Sequence, residues 1–191
     1  MKTIQHPHIV QLLQVIETKQ KTYLVMECAS GGPLLKRVTQ CGHLDEEEAR
    51  TLFRELASAV KYIHSHNIAH RDIKLENILL DSEGHIKLSD FGLGKRFASG
   101  EKVKGFWGTA EYCAPEVFGP TEYEGLPTDI WSLGVVLYHL RDRALTDSIQ
   151  KLLDTASPLP RASRHTEPIN DSGPHTEAPH RGSHGTPMAA P

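Results

Sequence analysis

The 191-residue sequence is poor in cysteine, in net charge and in long apolar runs. Its three cysteines, Cys28, Cys41 and Cys113, are widely spaced and form no Cys-x-x-Cys pair. That argues against a zinc site or a disulfide framework and for reduced thiols. The formal net charge is −3 with 12 histidines counted neutral, so there is no basic field for nucleic acid and no strong acidic field either. No run approaches the ~20 apolar residues of a membrane-spanning helix. The start, Met1-Lys2-Thr3-Ile4-Gln5-His6-Pro7, lacks the apolar stretch of a signal peptide. These absences lead us to expect a soluble, cytoplasmic protein with no nucleic-acid or membrane partner. No internal repeat is present, and the length suits one domain of ordinary size.

Apolar and β-branched residues concentrate at 9–17 and 22–27, on either side of a polar Thr18-Lys19-Gln20-Lys21 turn, which reads as a β-hairpin. Ser30-Gly31-Gly32-Pro33 then breaks the strand. From Asp45 to His66, the steps of three and four between Ala49, Leu52, Phe53, Leu56, Val60 and Ile63 make one buried helical stripe. Asp45 with Glu48 three residues on reads either as an N-terminal capping arrangement or as a merely solvated acidic run. Ile78-Leu79-Leu80 and His85-Ile86-Lys87-Leu88 read as short strands across a turn at Asp81–Gly84. Residues 93–113 read as loop. Thr128 to His139 is apolar nearly all round and predicts a buried helix. Leu145, Ile149, Leu152 and Leu153 mark a further amphipathic turn or two. Residues 156–191 hold seven prolines and no aromatic residue, a composition that cannot offset its ordering entropy and predicts disorder.

The chemistry-bearing residues fall in one order. His70-Arg71-Asp72-Ile73-Lys74-Leu75-Glu76-Asn77 is followed by Asp90-Phe91-Gly92 and then by Ala114-Pro115-Glu116. Singly, each acid reads as an ordinary loop carboxylate or turn cap. Jointly, and at this spacing, they resemble the catalytic loop, the metal-binding loop and the end of the activation segment of a protein kinase of the serine/threonine type. His6-Pro7-His8-Ile9-Val10, Leu24-Val25-Met26-Glu27 and Trp131-Ser132-Leu133-Gly134-Val135-Val136-Leu137-Tyr138 look most like the AMP-activated-kinase-related group, which includes the microtubule-affinity-regulating and sperm motility kinases.

The resemblance implies transfer of the ATP γ-phosphate to a protein Ser or Thr, with ATP and Mg2+ as cofactors. It implies that Asp72 accepts the hydroxyl proton, that Lys74 meets the charge developing on the transferred group, and that Asn77 and Asp90 hold magnesium. Lys at position 74 is what serine/threonine kinases carry. Thr109 resembles the hydroxyl residue that ties the activation segment to Asp72 and Lys74, and Asp129 the buried carboxylate that braces the catalytic loop. Met26 aligns with the gatekeeper, the backbone of Glu27 and Ala29 with the adenine-binding hinge, and Leu79 with the residue beneath the ring. From the residues alone, Met26 and Leu79 read equally as plain core.

The resemblance runs from about residue 1 to 140. The expected organisation is a partial kinase domain over 1–140, a short amphipathic helix over 141–155 and a disordered Pro- and His-rich tail over 156–191. The expected class is α+β and protein-kinase-like: a β-hairpin remnant of the small lobe on an incomplete, mainly helical large lobe, truncated at both ends. Before residue 70 there is no Gly-x-Gly-x-x-Gly and no Val-Ala-x-Lys. Losing one preorganised donor of this kind typically lowers kcat by about 10²–10³, so intrinsic activity is expected to be weak or absent. Glu116 is expected to be a buried acid lacking its usual Arg, unless Arg141 or Arg143 substitutes. The usual phosphorylated Thr aligns with Gly105, and only Ser99 carries a hydroxyl between Leu93 and Gly108. Activation by the usual phosphate is therefore not expected, although Arg71, its usual partner, is present. Three functional expectations stand side by side: an enzyme acting on a protein Ser/Thr, a non-catalytic module competing for a full-length kinase's partners, and an inactive truncated product.

Overall fold

Two strands open the fold. β1 (Leu12–Glu17) and β2 (Thr22–Met26) pair antiparallel from Glu17↔Thr22 to Leu12↔Met26, with a register shift between Leu12 and Gln14. The computed structural model describes residues 4–42 and 44–141. Apart from Arg141, the helix expected over 141–155 and the tail over 156–191 lie outside them. The hairpin begins later than its apolar pattern suggests. Ile9 leaves it to bridge Leu88 and is only 2% exposed, so core burial wins over strand extension.

Beyond the hairpin, Gly32–Pro33 does more than break a strand. It forms β3, an edge strand that tolerates proline and pairs with the strand at Leu79–Leu80. α1 (Leu34–Cys41) follows and was not foreseen. It buries Leu34 and Val38, one turn apart, and ends where the Gly42 N–H donates to Val38 O at 2.7 Å. α2 (Glu46–Ser65) realises the apolar stripe, with Ala49, Leu52, Leu56, Ala59, Val60 and Ile63 buried. Its start is half a capping box. The Glu48 N–H donates to Asp45 Oδ1 at 2.8 Å, while the Glu48 carboxylate accepts from Arg37 Nε at 3.1 Å.

β4 (Ile68–Ala69), β5 (Ile78–Leu80), β6 (Ile86–Leu88) and β7 (Lys95–Arg96) complete two small sheets, β3-β5-β6 and β4-β7. The stretch 93–113 is thus not wholly loop: it holds β7, a 3₁₀ turn at Ala110–Tyr112 and a bridge from Val103 to Tyr123. α3 (Gly125–Arg141) corrects the expectation of a helix buried all round. Thr128, Asp129, Ser132, Leu133, Val136, His139 and Leu140 are buried, whereas Ile130 is 55% and Trp131 51% exposed. α2, β4 and the 3₁₀ turn at Ala110–Tyr112 pack against it.

The main core joins α2, β4 to β6 and the inner face of α3, with Ile73 and Leu75 fully buried within it. A second cluster gathers Ala69, Phe97, Val103, Ala114, Val117 and Tyr123. Among the described residues no helix is long and apolar enough to cross a membrane.

Candidate active site

The loop between β4 and β5 is pinned by alternation. Ile73 and Leu75 are both 0% exposed, and this turns Asp72 and Lys74 the other way. A buried carboxylate holds the start of the loop. Asp129, 1% exposed, accepts from the His70 N–H through Oδ2 and from the Arg71 N–H through Oδ1, both at 2.8 Å. His64 Nε2 lies 2.9 Å from the same Oδ2. This bracing holds Arg71 at φ +67°, a left-handed conformation that side chains other than glycine adopt only at a cost.

His70 is locked in one tautomer by its partners. The Asp72 N–H points at Nδ1 (3.2 Å), which must accept, so Nε2 carries the proton that it donates to Ser89 O at 2.9 Å. Full burial holds the imidazole below its ordinary pKa. Ser89 in turn donates its N–H and its hydroxyl to Asn77 O, both at 2.8 Å. This hydrogen-bonded chain runs from the catalytic-type loop to the residue before Asp90.

Asp72 is held from several sides. Its Oδ1 accepts from Thr109 Oγ1 at 2.7 Å, and its Oδ2 lies 3.0 Å from Lys74 Nζ. Asn77 Nδ2 donates to Asp72 O at 2.8 Å and to Oδ2 at 3.1 Å. Lys74 Nζ also donates to Thr109 Oγ1 at 2.8 Å, so the threonine hydroxyl accepts from the lysine and donates to the aspartate. Thr109 reaches this place because Gly108, at φ +104°, packs against Arg71 O; a Cβ there would sit 2.5 Å from that oxygen.

The sequence reasoning singled out Asp72, Lys74, Asn77 and Thr109, and the fold brings them together. Asp90 is exposed at φ +57°, its Oδ1 accepting from the Gly92 N–H at 3.2 Å. The residues expected to meet adenine lie at the end of β2, just after it, and in β5. Met26 is 44% exposed at the end of β2, and the Glu27 N–H is taken by Gln11 O at 3.0 Å. Leu79 is half-buried in β5 and belongs to neither core cluster, unlike Leu80, which packs on the main one. A cleft of about 370 Å³ includes Glu27 but none of Asp72, Asn77 and Asp90.

Glu116 overturns one expectation: it is exposed, so it carries no burial penalty, and Arg141 pairs with Glu46 at 3.4 Å instead. Arg71 lies under the ring of Trp107, 4.7 Å from its centroid, while its Nε donates to Leu93 O. Neither the His70 tautomer lock nor the Trp107 stack was read from the sequence. Both join residues far apart in the chain and leave no periodic trace. Burial pushes the Cys113 thiol up to about 11.

The protein kinase domain model matches residues 1–156, and the chain belongs to the protein kinase family. It is of the serine/threonine kind. It is 54% identical over 140 residues to the serine/threonine-protein kinase SIK2 of Gallus gallus, covering 73% of this chain and 18% of that protein. It is 51% identical over 140 residues to the serine/threonine-protein kinase SIK1 of Mus musculus, with the same 73% and 18% coverage. The chain therefore spans under a fifth of the length of these curated relatives.

Proposed function

We propose that this chain carries the hydroxyl-orienting half of a serine/threonine phosphotransfer site, with Asp72 as the group that takes the hydroxyl proton. One observation supports the reading above others: Thr109, Lys74 and Asn77 converge on the Asp72 carboxylate at 2.7, 3.0 and 3.1 Å. A carboxylate fixed on both oxygens keeps its orientation without reorganising as an acceptor hydroxyl arrives, which is the form that positioning takes in phosphoryl transfer. In this reading Lys74, shared between Asp72 and Thr109, meets the negative charge developing beside the aspartate.

The donor chemistry of Asn77 and Asp90 suits magnesium. Asn77 spends its amide nitrogen on Asp72, which leaves its carbonyl oxygen for a hard cation. Asp90 is an exposed carboxylate joined to Asn77 through Ser89, and one or two such oxygens plus substrate phosphates are what magnesium takes. When bound, the metal would neutralise phosphate charge. In this reading the Glu27 carbonyl and the Ala29 N–H meet adenine, with Met26 and Leu79 beside it. Before residue 70 no Gly-x-Gly-x-x-Gly is present to cover the phosphates, so the expected rate for this stretch is low.

The test is single-turnover transfer from labelled Mg-ATP to a Ser/Thr peptide pool, comparing the chain with Asp72→Asn. Signal lost in the variant, with an unchanged melting curve, supports the reading. Equal signal in both overturns it. No transfer by either, with no melting shift on adding Mg-ATP, favours a non-catalytic binding module.

A further inference from the structure

The segment that carries Thr109 meets the loop of Asp72 through Arg71 as well. The Arg71 guanidinium lies over the Trp107 ring, 4.7 Å from its centroid, and its Nε donates to Leu93 O at 2.6 Å. A Cβ on Gly108 would sit 2.5 Å from the Arg71 carbonyl oxygen, so the two backbones touch. Trp107 is fixed to its own turn. Its indole N–H donates to Lys104 O at 3.3 Å, and its carbonyl oxygen accepts from Cys113 Sγ at 3.4 Å. The start of that turn is tied to Tyr123, which pairs with Val103 and donates its hydroxyl to Gly105 O at 2.8 Å. Gly108 alone separates Trp107 from Thr109, whose hydroxyl meets Asp72 and Lys74.

A half-buried guanidinium needs a partner for its charge. Residues 100–108 contain no Ser, Thr or Tyr that would take a phosphate. Their one carboxylate, Glu101, is paired with Lys95 at 2.8 Å. An aromatic face attracts a cation within about 6 Å of its centroid, indole most strongly. We propose that Trp107 is a positioning residue: its ring covers the Arg71 guanidinium and, without any phosphate, holds residues 104–109 on the catalytic-type loop so that the Thr109 hydroxyl reaches Asp72. A phosphate opposite an arginine orders a loop only while the modification lasts. The ring is a permanent part of the chain, so this order needs no modifying enzyme. Its consequence for transfer rests on the reading of Asp72 as the group that takes the hydroxyl proton.

The experiment is limited trypsin digestion of the 191-residue chain, with each cut assigned by mass spectrometry. Lys102 and Lys104 report on the segment, and Arg54 and Lys61 in α2 serve as the control. Trp107→Leu and Arg71→Gln are each expected to speed cutting at Lys102 and Lys104 about 5-fold, with α2 unchanged. The double variant is expected to be cut little faster than either single one, because both remove the same contact. Trp107→Phe, which keeps an aromatic face, is expected to restore most of the protection. Cutting of Trp107→Leu at the parent's rate overturns the proposal. So do effects that multiply in the double variant, a Phe variant as labile as Leu, or α2 cuts that accelerate in step. Cleavage is read without ATP or substrate, so its failure leaves the reading of Asp72 standing. Transfer that survives Asp72→Asn would remove that reading and leave the Arg71–Trp107 pairing intact.

Discussion

Removing the Asp129 carboxylate is the most direct test of how the catalytic-type loop is held. In Asp129→Ala the backbone N–H groups of His70 and Arg71 lose their acceptors, each now at 2.8 Å, and His64 loses its partner at 2.9 Å. His70 is fully buried and Asp129 is 1% exposed, so water does not readily replace the carboxylate. A buried donor left unsatisfied costs about 1–3 kcal/mol, with bonds to an ionised acceptor in the upper part of that range. Two such donors give about 4–6 kcal/mol. The left-handed strain at Arg71, about 1–3 kcal/mol, would relax as the loop lets go and would return part of this. Against a total stability of about 5–15 kcal/mol the loss is severe.

The assay is a urea titration followed by far-UV circular dichroism, with a thermal melt beside it. The expected drop in Tm is about 10 °C or more. Asp129→Asn keeps one acceptor but sets an amide N–H against a backbone N–H, so it should fall between the parent and Asp129→Ala. Amide exchange at His70 and Arg71 should accelerate in both variants. If Asp129→Ala lies within about 1 kcal/mol of the parent, the reasoning fails, and the buried anchors Ile73 and Leu75 hold the loop by themselves.

Acid should weaken the fold through His70. Burial holds its pKa below 6.5 in the folded chain, so below about pH 6.5 only the unfolded chain takes up that proton and stability falls as pH drops. Glu55 raises the pKa of His85, a contribution of opposite sign that is full below pH 6.5 and lost as pH rises through the raised value. Urea midpoints at pH 5.5 and 7.5 should therefore separate most clearly in a Glu55→Gln background, and equal midpoints there would refute the assignment. Gly108→Ala should destabilise by more than Gly84→Ala in parallel melts. Both positions have positive φ, but only the first would press its Cβ on a backbone oxygen, at 2.5 Å. Equal melting shifts would mean that the contact with Arg71 O carries no weight.

What was legible in the sequence was what is local. The stripe from Ala49 to Ile63 declared α2, and the turn at Asp81–Gly84 between Ile78-Leu79-Leu80 and His85-Ile86-Lys87-Leu88 declared β5 and β6. The order of the Asp72, Asn77, Asp90 and Glu116 motifs declared the family, and through that resemblance the cluster around Asp72. Asp45 could not be told from a solvated acid until its 2.8 Å bond to the Glu48 N–H was seen. α1 was invisible because its eight residues bury only Leu34 and Val38. Ile9 read as strand because it is β-branched, yet the distant Leu88 decides where it goes.

α3 shows why hydropathy alone misplaces an element. Its residues are apolar nearly all round, so the hydrophobic effect hardly distinguishes one rotation of the helix from another. Its few polar side chains do. Asp129 must reach the N–H groups of His70 and Arg71, Ser132 Oγ donates to Tyr112 O at 2.8 Å, and the Tyr112 hydroxyl lies 3.2 Å from His139 Nδ1. Each would cost more unpartnered in a core than an exposed Ile or Trp costs in water. The polar residues therefore turn inward with Leu133, Val136 and Leu140, and Ile130 and Trp131 are carried outward. The helix is oriented by the hydrogen bonds that hold the loop of Asp72, and its outward apolar side follows from that orientation.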